Sequence, residues 1–305
     1  MRAFIQAAFG AAVVGFLVGA PVLAEPQGDR MGLGTARLFT NDALGDGKDR
    51  WKTGSYQVSH FRGGVWTGDA AERPGEMLEY RLRTDIIAAA SLKSPKPGDR
   101  RYAGVLSFGV HTPFARNGWE MSAGGDLVLT GPQTGIGEFQ DTIHEWIGAS
   151  KPDLSNQIEN GIYPTALFSA ARPLSFDGGI VRPFAEVQAG YETLARVGVD
   201  LVVGSMGDNA LWARDVTTGT LMRADHAQDV GFSLVLGADY TTVSDSVVLP
   251  ADDGFVLEDR ARVRVGGQYK SELHRFYYGL TWLSEEFEAQ TGSQVVGSVT
   301  IDFAF

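Results

Sequence analysis

Gln140 and His144 lie four residues apart in a stretch, Gly137 to Asn160, whose apolar residues do not alternate as strand residues do. Phe139, Ile143, Trp146 and Ile147 recur there at helical spacing, and Gly148 followed by Pro152 supplies a stop signal. On a helix Gln140 and His144 project from one face, a turn apart. The result is a polar platform carrying an imidazole, the side chain that ordinarily titrates nearest neutrality and is suited to proton transfer. A solvated loop helix would have the same composition. Asp42, Asp46 and Asp49, set among glycines, could hold a hard cation or form an ordinary acidic turn; their spacing does not match an EF-hand loop. Lys93, Lys96, Arg100 and Arg101 form a basic cluster, readable as a solvated loop or as a patch that faces phosphates. No Gly-x-Ser-x-Gly occurs, so any ester hydrolysis would be more economical with a water nucleophile than with an acyl-enzyme.

The elements that must position these groups follow from the rest of the chain. Of 305 residues none is cysteine, and the formal net charge is −11. Such an acidic polymer is a poor nucleic-acid binder, and without disulfides its stability must come from hydrogen-bond ladders and packing. Residues 1–24 read as a signal peptide: Arg2, an apolar run from Ala7 to Val22, and a Val22-Leu23-Ala24 cleavage site. Beyond them no apolar run is long enough for a membrane-spanning helix.

From Gly34 onward, strand follows strand. Phe276, Tyr278, Leu280 and Trp282 alternate with Arg275, Tyr277, Gly279 and Thr281, and Val197, Val199, Leu201 and Val203 alternate with Arg196, Gly198 and Asp200. A soluble sandwich would also alternate. Strands of ten or more residues with Arg182, Glu186, Asp200 and Arg264 on the polar face instead predict an all-β fold, a transmembrane antiparallel β-barrel, since only a closed barrel satisfies its backbone in lipid. Trp51, Tyr102, Trp119, Tyr191, Tyr240 and Trp282 are expected in its aromatic girdles, and Phe305 ends its last strand. About twelve segments are predicted: 34–41, 51–62, 77–90, 102–113, 117–131, 162–173, 180–191, 194–204, 229–240, 259–271, 274–284 and 295–305. An even count puts both termini in the periplasm. It brings Asn41, Asp42, Thr53, Lys93, Lys96 and the Gln140–His144 helix to the extracellular rim, while 205–228 becomes a long periplasmic connection with some structure of its own. Residues 25–305 form one domain.

In this order, Asn41-Asp42 at the end of the first strand, Trp51-Lys52-Thr53-Gly54 opening the second, Gly98-Asp99-Arg100 before the fourth, Gln140-x-x-x-His144-x-x-x-Gly148 and Asn156-Gln-Ile-Glu-Asn160 resemble the LpxR-type outer-membrane lipid A deacylases. The likeness is sharpest in Phe39 to Ser55, Gly98 to Gly104 and Phe139 to Asn160. It implies a twelve-stranded outer-membrane barrel that removes the 3′-linked acyloxyacyl group of lipid A in a calcium-dependent reaction. Carried over by position, His144 matches the general base and Gln140 its helix neighbour. Asn41, Asp42 and Thr53 match the polar groups around the metal and the scissile ester, and Lys93 or Lys96 the basic residue that holds the anionic lipid. The chain departs from the pattern at Ser150, where the family has an acid six positions after the histidine; Glu145 and Asp153 stand nearby. In chemical terms His144 would activate water, and calcium on Asp42 with neutral oxygens would act as electrophile. The expected partner is lipopolysaccharide and the expected state a monomer. The competing expectation is a non-catalytic barrel, a porin or structural protein, with Arg182, Glu186, Arg264 and Lys270 lining a passage. Inward Phe184 and Tyr277 favour a filled interior.

Overall fold

A computed structural model describes residues 30–205, 209–225 and 230–303. The expected signal peptide, His226 and Phe305 lie outside them. Twelve long strands form one closed antiparallel wall: β1 (Met31–Asn41), β2 (Trp51–Gly63), β3 (Leu78–Ala88), β4 (Ala103–Arg116), β5 (Trp119–Thr130), β6 (Gly161–Ala171), β8 (Gly179–Ala189), β9 (Glu192–Gly204), β12 (Gly231–Ser246), β13 (Arg260–Lys270), β14 (His274–Leu283) and β15 (Gln294–Phe303). A short strand, β7 (Leu174–Phe176), lengthens the β8 hairpin, and β10 (Trp212–Arg214) pairs with β11 (Leu221–Arg223) apart from the wall. Closure comes where Phe39, Thr40 and Asn41 of β1 pair with Val299, Ser298 and Gly297 of β15. Each predicted segment corresponds to one of the twelve strands.

The alternation works as lipid demands. Val197, Val199, Val263, Val265, Phe276, Tyr278, Leu280 and Trp282 are exposed on the outer face, while Arg196, Asp200, Arg262, Arg264, Tyr277 and Thr281 are buried within. The girdle expectation holds for Trp119, Tyr240 and Trp282, which are exposed. It fails for Trp51, Tyr102 and Tyr191, which are buried. Trp51 lies under the Arg50 guanidinium, 3.9 Å from its ring centroid, Tyr102 packs with Ala88 and Leu92 beneath an outer loop, and Tyr191 packs with Ile87, Val105 and Val128. A strand-end aromatic takes the interface only when no loop folds over it.

The lumen is filled by the connection expected to have structure of its own. Its described part, 209–225, enters the barrel as the β10–β11 hairpin. Gln57 on β2 clasps it, donating from Nε2 to the Arg214 carbonyl (3.0 Å) and accepting from the Val216 amide (3.0 Å). Arg262 donates to the Val216 carbonyl at 2.8 Å, and Thr217 donates to Asp85 at 2.7 Å. Leu211, Ala213, Leu221, Met222 and Ala224 pack with Leu33, Ala36, Leu38, Phe61 and Tyr277 into the main apolar cluster. Arg214 stacks on inward Phe184, 3.6 Å from its ring centroid.

One helix, α1 (Ile136–Ile147), stands in the 131–160 connection at the extracellular rim. Gly135 and Gly148 bound it in left-handed geometry, at φ 69° and 68°.

Candidate active site

The site is built on the outside of the wall. Register places Asn41, Gly54, Ile86 and Gly104 opposite one another in a single row across β1 to β4. The two glycines make this row a shelf. A Cβ at Gly104 would sit 2.8 Å from Ile136 Cβ and Thr134 Oγ1, so the start of α1 can rest on the wall only because that side chain is absent. A Cβ at Gly54 would come 3.4 Å from Asn41 Nδ2. Beside it the β2–β3 ladder slips between Lys52 and Gly54, which leaves Thr53 as the extra residue of a bulge. Thr53 is buried, and its hydroxyl donates to the Ile86 carbonyl at 3.3 Å.

Helix α1 is inside out by the usual standard. Gln140 and His144 are only 4% and 8% exposed, whereas Phe139 and Trp146 are 61% and 77% exposed. His144 Nδ1 lies 2.5 Å from the backbone carbonyl of Ser150. A carbonyl only accepts, so Nδ1 carries the hydrogen and Nε2 keeps its lone pair. That nitrogen stands 3.4 Å from Gln140 Nε2 and 3.9 Å from Asp49 Oδ2. Ser150, where the sequence departs from the resembling pattern, thus orients the imidazole through its main chain. Lys151 clips this return segment to the helix, donating to Glu145 at 2.9 Å and Asp141 at 3.2 Å. Gln140 Oε1 is buried without a hydrogen-bond partner.

Across from the helix, Asn41 Oδ1 accepts the Ala43 amide at 2.8 Å and caps the short turn Asp42–Leu44. Asp42 is buried and accepts the Arg50 amide at 2.7 Å. Burial pushes its carboxyl from 3.8 up to about 7, against the pull of that amide, and the Asp49 and Asp46 charges add to the rise. Burial also raises Asp49, which His144 partly offsets. Asp49 and Trp51 adopt φ of 49° and 53°, uncommon for residues with side chains, so the loop holds strain beside the imidazole. Asp49, readable from the sequence either as a cation ligand or as an ordinary turn acid, stands here beside the imidazole. Its position just before β2 places it at the right rim, but nothing in its spacing pairs it with a histidine 95 positions on.

Calcium wants oxygen donors, and Asp42, Asn41, Asp49 and the partnerless Gln140 Oε1 are oxygen-bearing. Among the described residues no three His, Asp or Glu side chains converge as a ready metal cage. A cation here would therefore depend on Asp42 together with neutral oxygens. The basic cluster divides. Arg100 pairs with Glu286 and Arg101 with Asp253, tying loops together over the barrel mouth, while Lys93 and Lys96 remain exposed. Lys96 borders a cavity of about 290 Å³ between its own loop and Pro152, Asp153 and Asn156.

The model of the outer membrane protein LpxR family matches residues 12–305. This chain belongs to the LpxR family. It resides in the outer membrane, as its lipid-facing barrel requires. Among solved structures, LpxR from Salmonella typhimurium superposes with a TM-score of 0.71 at 20% identity, covering 89% of this chain and 100% of that one. The β domain of the Bordetella autotransporter BrkA reaches a TM-score of 0.47 at 10% identity, covering 90% and 99%. No curated protein sequence matches the chain. The LpxR likeness thus extends over the whole wall, α1 included in the matched span.

Proposed function

We propose that this LpxR-family barrel hydrolyses the 3′-linked acyloxyacyl ester of lipid A in the outer leaflet. The observation that carries the reading is His144, buried between α1 and the outer face of the wall, with Nδ1 held by the Ser150 carbonyl and the lone pair of Nε2 met only by a long 3.4 Å contact from the Gln140 amide, which an incoming water can displace. A water bound at Nε2 gives up its proton to the imidazole as its oxygen attacks the ester carbonyl. Asp49, 3.9 Å from Nε2, faces the imidazolium so formed and favours it. Amide donors of Asn41 and Gln140, with the Thr53 hydroxyl once it turns from the Ile86 carbonyl, are the groups that would receive the oxyanion, and the imidazolium then returns its proton to the leaving alkoxide. Calcium held by Asp42 would add electrophilic pull on the carbonyl. Lys93 and Lys96, exposed on the neighbouring loop, suit the phosphates of the glucosamine backbone.

Mass spectrometry of lipid A from cells expressing the wild type or His144→Ala tests this reading. The wild type should remove the acyloxyacyl mass and the variant should not, while both run as folded, heat-modifiable barrels. Lipid A unchanged by the wild type in calcium-replete outer membranes would refute it. The alternative of an open channel is disfavoured by the β10–β11 hairpin that fills the lumen, and bilayer recordings without unitary conductance are expected.

A further inference from the structure

Helix α1 divides its surface three ways, and only two of the flanks are accounted for. Gln140 and His144 are buried on the side where Ile136 meets Gly104 of the wall, and Gly137 lies against Leu154 and Tyr102. Glu138, Asp141 and Glu145 form a second flank, two of them gathered by Lys151. The third flank carries Phe139, Ile143 and Trp146, one turn apart in succession, with Phe139 and Trp146 more exposed than any strand aromatic of the barrel's described residues. An apolar ridge of this kind in water is a liability that polar residues on the inward side of the same helix make worse. The strands beneath α1 show what covers it. Outward from the row that holds Ile86 and Gly104, β3 presents Leu82 and Tyr80 and β4 presents Phe108 and Val110, all exposed and all part of the lipid-facing wall. The ridge extends that surface.

We propose that α1 is an interfacial helix whose Phe139–Ile143–Trp146 ridge is inserted among acyl chains of the outer leaflet, with its acidic flank turned to the aqueous side. Helix and wall then form the two sides of a lateral entrance, and an ester-bearing chain reaches His144 from the membrane without leaving hydrocarbon. This last consequence rests on the deacylase reading; insertion of the ridge does not. Trp and Phe suit the position because each buries a large apolar area at the interface, and the indole keeps a polar edge for the headgroups.

The test uses the full barrel in phosphatidylcholine vesicles brominated on their acyl chains. Trp146 emission, taken as wild type minus Trp146→Phe, should be quenched by the bromolipid and protected from aqueous iodide. A tryptophan on the other flank, Glu145→Trp in the Trp146→Phe background, should show the opposite pattern. Iodide quenching of Trp146 with no effect of the bromolipid would overturn the proposal, provided that gel heat-modifiability shows the barrel folded. Replacing both Phe139 and Trp146 by Ser should lower deacylation of membrane-embedded lipid A roughly tenfold or more, as the loss of two apolar anchors implies. Bromolipid quenching in a barrel with no deacylase activity would leave the inserted helix standing and remove only the deacylase reading.

Discussion

The lumen and the shelf beneath α1 both bury charge, but they treat it in opposite ways. Inside the barrel the strand carboxylates Asp200, Asp239 and Glu186 are matched by guanidinium groups, although Asp215 on the hairpin is held only by Thr218. Asp200 accepts from Arg214 and Arg264 at 2.5 Å, Asp239 accepts from Arg262 at 2.9 Å and from Arg264, and Glu186 pairs with Arg196. Under α1, among the described residues, the buried Asp42 has backbone amides and no cation, Asp49 has only the imidazole, and Gln140 Oε1 has no partner. A paired interior resists change, because removing one partner strands the other. An unpaired one is poised to take up a proton, a cation or a developing charge. On the proposed function, the difference separates scaffold from chemistry within one wall.

The sharpest way to break this contrast is a pair of substitutions. His144→Ala should cut deacylation by about 10²–10⁴, the usual contribution of a general base, with the unfolding temperature unchanged. Asp239→Ala should do the reverse, costing about 3–5 kcal/mol in barrel stability by taking the carboxylate partner from Arg262 and leaving Arg264 with Asp200, while barrels that remain folded keep their activity. If Asp239→Ala abolished activity in fully folded barrels, lumen and shelf would not be separable.

Asp42 gives the next largest effect. Its carboxyl titrates near 7 in the folded chain against an ordinary 3.8, so the folded state holds the proton more tightly. The stability this contributes is full at acid pH below the ordinary value and is lost as pH rises through about 7. Without calcium the wild type should therefore lose stability relative to Asp42→Asn as pH rises from about 4 to about 7, measured by thermal unfolding. Calcium should reverse that loss in the wild type alone, and Asp42→Asn should need far more calcium for activity. A chelator that leaves wild-type deacylation intact would move the oxyanion entirely onto protein donors.

Asp49→Asn is the gentlest probe, expected to lower activity by about threefold to tenfold, in line with a single partly exposed charge acting at 3.9 Å. The loss should diminish at high ionic strength. No loss at all would leave Asp49 as a turn residue and Nε2 without an acidic neighbour.

The twelve strands were legible because lipid outside and polar groups inside impose a period of two, and that period is local: Phe276 to Trp282 state it in seven residues. The extent of α1 was legible for a similar reason, since Gly148 ends it by its own backbone preference, and Gln140 and His144 share a face by helical geometry alone. Which face α1 buries was not legible. The sequence offers a polar side with Gln140 and His144 and an apolar side with Phe139 and Trp146, and only Gly104, 32 positions before Ile136, decides that the polar side meets the wall. Asp49 beside His144, the Ser150 carbonyl in place of an acid, the burial of Trp51, Tyr102 and Tyr191, and the entry of β10–β11 into the lumen belong to the same class. Each depends on which distant surface a loop folds against. Periodicity fixes the direction of a side chain relative to its own element, whereas the surface that element meets is set by barrel closure, which brings together residues whose separation along the chain carries no local signal.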